Sequence, residues 1–166
     1  MAEQSNISND LWLLEGIEDF RVYSLELLQQ SHRNVLLLTR NLDEIIYGTS
    51  EFVEAISTFA RSSRHTRVQI LIKDTKHAID TGHQLIRLAQ RLSSKIIVRK
   101  MTLEPTNKDM AFIVGDTDKL LYKNDDSTYR GFFNSNAARE IKPLTEEFNY
   151  LWQYAEPEPE FQLLHI

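Results

Sequence analysis

Two carboxylates, Asp109 and Asp116, bracket the apolar run Met110-Ala111-Phe112-Ile113-Val114, and two more, Asp125 and Asp126, follow in a turn-like segment. Oxygen-rich clusters of this kind suit Mg²⁺ or Ca²⁺. Aspartates at strand ends and turns are commonest as solvated turn formers, however, so no metal is assigned. His77 and His83 are six residues apart, which on a helix leaves them roughly 120° out of alignment and makes no i, i+4 metal pair. Arg40 and Lys73 each follow an apolar run. If those runs are strands, their loops face the pocket that open α/β sheets form at their carboxyl ends, and the two cations become candidate anion contacts. His83, beside Gly82, is the candidate histidine for that pocket. For all three the plain alternative is a surface, ion-paired or packing side chain. The chain has no Gly-rich phosphate loop, no G-x-S-x-G elbow and no His-Glu-x-x-His segment. With zero cysteines it has no disulfide, thiolate zinc site or cysteine nucleophile. No cofactor is expected.

The elements that must hold these residues fit one domain. At 166 residues with 42% hydrophobic content, the chain is long enough for one real core and too short to expect two. A net charge of -5 gives little long-range attraction to phosphate backbones or anionic lipid, so nucleic-acid and membrane partners are not expected. The densest basic run, Arg61 to Arg67, reads as a solvated loop. The first ten residues are polar and acidic, without a signal-peptide pattern, and no apolar run approaches the roughly 20 residues of a membrane span. The expected location is the cytoplasm.

Along the chain, residues 1–15 read as a polar lead. Apolar residues at 20, 23, 27 and 28 predict a helix over 20–30. The continuous apolar run at 35–39 predicts a strand buried on both faces. Thr49-Ser50 caps a predicted helix at 51–60, and 68–72 is a second strand. A long helical pattern spans 76–92, with Gly82 marking either a kink or the real start of the helix. A third strand covers 95–101. Strand alternating with helix argues for parallel strands joined by right-handed crossovers. The segments 110–114 and 119–122 then flank Gly115-Asp116-Thr117-Asp118 as an antiparallel hairpin, 129–133 is one more strand, and Pro143 opens a closing helix at 143–154. Residues 156–166 should form an extended tail.

This order, together with the spacing of Asp109, Ala111 and Asp116, resembles one repeat of the phospholipase D superfamily over about residues 20–155. Its motif is His-x-Lys-x4-Asp: the His attacks phosphorus, the Lys neutralises phosphoryl oxygens and the Asp supports the geometry. Asp109 falls at the His position, Ala111 at the Lys position and Asp116 at the Asp position. The Gly-Ser-x-Asn segment that follows in active members falls on Lys123-Asn124-Asp125-Asp126, without the Gly and the Ser. More narrowly, Gly82-His83-x-Leu85, Phe148-x3-Trp152, Glu156-Pro157-Glu158-Pro159 and the terminal Leu163-Leu164-His165-Ile166 resemble a short bacterial domain family of this type that occurs alone or attached to acetyltransferase domains.

The resemblance implies an α/β fold: a phospholipase D-like mixed sheet flanked by helices, as a single domain over 16–155. It also implies a homodimer, since single-repeat members pair across a two-fold axis. A carboxylate at 109 repels phosphate, and a methyl at 111 cannot offset that repulsion. The expectation is therefore a non-catalytic module for ligand sensing or protein interaction, with Asn124 and Asp126 as further vestigial motif positions. Two alternatives stand beside it. One is a divergent metal-assisted phosphodiesterase or nuclease with a cation between Asp109 and Asp116; the other is an accessory domain of an acetyltransferase or another enzyme.

Overall fold

Eight strands form one mixed sheet in the computed structural model, which describes residues 5–163. They are β1 (Ser5–Ser8), β2 (Leu11–Glu15), β3 (Asn34–Thr39), β4 (Arg67–Ile72), β5 (Ile96–Lys100), β6 (Ala111–Gly115), β7 (Lys119–Lys123) and β8 (Arg130–Asn134), in the spatial order β1-β2-β8-β7-β6-β3-β4-β5. The alternation of strand and helix gives the parallel part, β3 beside β4 and β4 beside β5. All other pairings are antiparallel, including β6 against β3 and the β6–β7 hairpin.

The middle strands are apolar throughout because both faces of the sheet are covered. Val35, Leu37, Val68, Ile70, Ile72, Ile113, Leu121 and Phe133 point to the side of α1 (Ile17–Gln30), α2 (Glu44–Tyr47) and α3 (Ser50–Arg61). Leu36, Leu38, Leu71, Phe112, Val114 and Leu120 point to the other side, under Ile141, Phe148 and Leu151 of α6 (Ala138–Tyr154). A one-residue slip would exchange these two sets, so the register is firmly specified. The hydroxyl cap before the third helix forms, with Thr49 Oγ1 accepting the Phe52 N–H at 3.1 Å.

The long helix expected over 76–92 is two helices. Gly82, in the left-handed conformation at φ 61°, ends α4 (Lys76–Thr81), and His83 caps α5 (Gln84–Arg91). The closing helix begins at Ala138, five residues before Pro143. Ile141 is buried under the sheet and favours the earlier start. The carbonyl that Pro143 leaves without a donor is that of Arg139, an exposed residue of the helix.

The two ends of the chain also differ from expectation. Residues 5–15 are not a lead: β2 pairs with β8 from Leu11↔Asn134 to Glu15↔Arg130, and β1 pairs with β2. The cause is Leu11-Trp12-Leu13-Leu14, whose Leu14 is buried and whose Trp12 packs on Tyr23 and Phe133. In the tail, Glu156 is extended and exchanges two backbone hydrogen bonds with Lys100, but α7 (Pro159–Leu163) follows and buries Phe161. The terminal Leu164-His165-Ile166 and residues 1–4 lie outside the described residues. No helix among the described residues is long and apolar enough to cross a membrane.

Candidate functional site

Antiparallel pairing brings the start of β6 and the end of β7 to the carboxyl ends of β3 and β4. The register Leu38↔Phe112 sets Arg40, just past β3, beside Asp109, just before β6. Arg40 Nη1 donates to Asp109 Oδ1 at 2.8 Å, with both side chains nearly half exposed. Around this pair lies a shallow cavity of about 380 Å³ lined by Arg40, Asn41, Asp109, Asp125, Asp126 and Ser127. An adjoining one of about 340 Å³ shares Asn41, Asp126 and Ser127 and extends to Asp43, Asp74, His77 and Tyr129.

The floor is a buried polar network. Asp126 Oδ2 accepts from Thr39 Oγ1 at 3.0 Å and from the Arg40 backbone N–H at 2.8 Å. Lys123 Nζ stands 3.3 Å from Asp126 Oδ1 and donates to the Asp126 carbonyl at 3.1 Å. The Lys123 side chain is 2% exposed and that of Asp126 7%. The ammonium also lies over the rings of Phe20 and Tyr129, at 5.3 and 4.9 Å from their centroids. Lys123 reaches this position because it faces Ala111 across the β6–β7 ladder, and Ala111 is a fully buried methyl that leaves the space open. Asn107 and the Asp109 carbonyl pin the following turn: Asn107 Nδ2 donates to Asn124 Oδ1 at 2.9 Å, and the Asp126 N–H donates to the Asp109 carbonyl at 2.7 Å.

The wall toward α2 adds a second network. Tyr129 OH donates to Asp43 Oδ2 at 2.5 Å, and its pKa is pushed up to about 12 by burial first, then by this bond and the Asp43 charge. Tyr47 is fully buried and its phenol is also raised well above the usual value, chiefly by desolvation. Leu42 adopts φ 55°, a left-handed backbone uncommon for leucine, while its N–H donates to Thr39 Oγ1 at 3.3 Å. On the exposed turn, hydrogen bonds from the Ser127 hydroxyl and N–H hold the Asp125 carboxyl below its usual pKa.

Of the residues singled out from the sequence, Arg40, Asp109 and Asp126 meet at this mouth, Ala111 lies beneath it, and Asn124 is held by Asn107 outside the cavity lining. Asp116 does not. It follows β6 at the opposite end of the strands, where its carboxylate accepts the N–H groups of His32, Arg33 and Asn34 at 3.0, 2.8 and 3.1 Å. Seven residues of extended chain put it roughly 23 Å from Asp109. The cation imagined between Asp109 and Asp116 therefore has no common site. Among the described residues, no three His, Asp or Glu side chains are placed to hold a metal. Lys73 also stays apart, ion-paired to Glu104.

His83 is in the core rather than on the cavity wall. Its Nδ1 accepts the Leu85 N–H at 3.2 Å, so the proton of the neutral ring sits on Nε2, which is buried and makes no well-formed hydrogen bond, only a weak approach to the Leu42 backbone. Burial lowers its pKa, against the weaker opposing influence of Glu44 and the Leu42 backbone. The folded protein thus binds this proton less readily than the unfolded chain does. The stability His83 contributes is present above about pH 6.5, the unfolded value, and is lost as pH falls below it. H83N keeps an N-cap acceptor but cannot titrate, so its urea midpoint should fall less than that of the wild type between pH 7.5 and 5. Equal slopes would refute this assignment.

The main residue that sequence reasoning missed is Lys123. From the sequence it enters only as the residue standing where the resemblance places a Gly, at the head of Lys123-Asn124-Asp125-Asp126. The signal that could have found it is the small residue placed opposite by the hairpin register.

Comparison with solved structures places this architecture. TrmBL2, an archaeal chromatin protein described as showing a novel mode of DNA binding, matches at TM-score 0.62 and 15% identity over 93% of this chain and 56% of its own. Nuc from Salmonella typhimurium, a phospholipase D family member, matches at TM-score 0.61 and 10% identity over 94% of this chain and 99% of its own. NucT from Helicobacter pylori matches at TM-score 0.59 and 11% identity over 94% and 99%. The chain thus spans little more than half of the archaeal protein but nearly all of Nuc and NucT. At these identities the likeness shows the fold, which is phospholipase D-like. A search of curated protein sequences found no significant match. The family model described as "Domain of unknown function (DUF7931)" matches residues 16–164, and the chain belongs to that family.

Proposed function

We propose that this phospholipase D-like domain is non-catalytic and serves ligand sensing or protein interaction, as one half of a homodimer. The observation that supports this reading most is the Arg40–Asp109 ion pair. At the position the resemblance assigns to the phosphorus-attacking imidazole stands a carboxylate already engaged by a guanidinium. Phosphodiester transfer by the phospholipase D mechanism needs a ring nitrogen that attacks and a cation that takes up the developing charge. Asp109 would repel the incoming phosphate, and Ala111 contributes no charge. The amine facing Ala111, that of Lys123, is bonded to Asp126 instead.

What remains is a shallow cleft with an acidic rim, suited to reversible contact rather than turnover. The test combines hydrolysis and assembly. Bis(p-nitrophenyl) phosphate and single- and double-stranded DNA are offered with Mg²⁺, with Ca²⁺ and with EDTA, and light scattering reads the mass in solution. The expected result is no turnover above buffer in any condition and twice the mass of one chain. Ion-dependent hydrolysis that disappears in D109A would sink the non-catalytic reading, and a monomer would remove the homodimer from it.

A further inference from the structure

Three donors of different kinds converge on one carboxylate beneath the 124–127 turn: the Thr39 hydroxyl at 3.0 Å, the Arg40 main-chain N–H at 2.8 Å and the Lys123 ammonium at 3.3 Å. A hydroxyl, an amide and an ammonium, gathered at the carboxyl end of a central strand, make a donor set that holds a small oxyanion, and charge-assisted bonds of this type are the stronger ones. Lys123 is almost wholly removed from solvent, so water competes weakly for its proton donors. The acceptor lies on the floor shared by two open cavities, and the turn that carries it lines both of them. An anion arriving from solvent would therefore meet these donors as soon as the Asp126 carboxylate was out of the way.

We infer that Thr39, Arg40 and Lys123 form an oxyanion pocket, for a carboxylate or phosphate group, which the chain keeps filled with the side chain of Asp126. The inference stands on the donor geometry alone and holds whether or not the domain is an enzyme, so its failure is separate from that of the non-catalytic reading. The bland competitor is an ordinary buried ion pair in which the donors have no affinity for a free ion.

The variant that separates the two is D126G, which removes the carboxylate and leaves its space. Its melting temperature is followed against sodium formate and against inorganic phosphate, with sodium chloride at matched ionic strength as the reference. The pocket predicts a saturable rise for D126G with at least one of the two anions. At a hundredfold excess over the dissociation constant, the rise for a chain of this size is roughly 5–11 °C. Formate acting alone assigns the pocket to carboxylates, and phosphate acting alone to phosphoryl groups. The wild type, already filled, should move no further than it does in chloride, and K123M/D126G should not respond. If neither anion raises D126G more than it raises the wild type, or if K123M/D126G responds equally, only an ordinary ion pair is present. Where D126G is recovered unfolded, refolding in formate or phosphate against chloride reads the same quantity. Selective recovery with either anion supports the pocket, and equal recovery in all three overturns it.

Discussion

K123M is expected to lower the free energy of unfolding by about 3–5 kcal/mol, the cost of leaving one member of a buried ion pair without its partner. Methionine keeps the length of the lysine stem and can still pack on Phe20 and Tyr129, whose rings the ammonium now covers. Lost volume is therefore a minor part of the effect, and the cost falls on Asp126, left with the Thr39 hydroxyl and the Arg40 amide as its donors. K123M/D126N should recover most of the loss, because removing both charges also removes the desolvation each one carries. The exposed pair at the rim gives the contrast. Arg40 and Asp109 are 45% and 44% exposed, so R40A should cost no more than about 1 kcal/mol. Urea denaturation of the three variants decides the matter. A K123M loss no larger than that of R40A, or a double variant as unstable as K123M, would show that the amine and the carboxylate are not coupled.

Much of the fold is legible in the sequence where local pattern and burial agree. The runs at 35–39 and 68–72 are continuous apolar stretches, which are stable only inside a doubly covered sheet, and both are central strands. The turn at 115–118 has the composition of a hairpin and forms one. Legibility fails where a strong local signal masks a weaker one. The polarity of the first ten residues hides Leu11-Trp12-Leu13-Leu14, which needs Tyr23 of the next helix and Phe133, distant in sequence, to cover its indole. Pro143 looks like a helix start because its missing donor is free of cost there, yet the helix tolerates it in the interior for the sake of burying Ile141.

The candidate site divides along the same line. Arg40 is legible because its place after a strand fixes which end of the sheet it serves. Lys73 has equal credentials, but it is neutralised by Glu104, whose approach only the tertiary fold reveals. His83 is turned inward by the glycine before it, which ends one helix and makes the imidazole the cap of the next. Lys123 depends on register, because its burial follows from the methyl opposite, twelve residues earlier.

D116A is expected to destabilise the fold by about 2–3 kcal/mol. Three main-chain N–H groups at the entry to β3 share its carboxylate, and hydrogen bonds to a charged acceptor are each worth about 1.5–3 kcal/mol. The bonds lie at the surface, where water can replace part of the loss, so the sum falls well short of three full contributions. Backbone strain adds to it: Asp116 sits at φ 55°, a conformation that aspartate and asparagine tolerate better than alanine. D116N, which keeps one acceptor oxygen and the tolerance for this backbone, should lose about half as much. Asp116 is thus a clasp between β6 and the start of β3, and its effect should be independent of Mg²⁺. If added Mg²⁺ stabilised the wild type and D116A lost that response, the carboxylate would be a metal ligand after all.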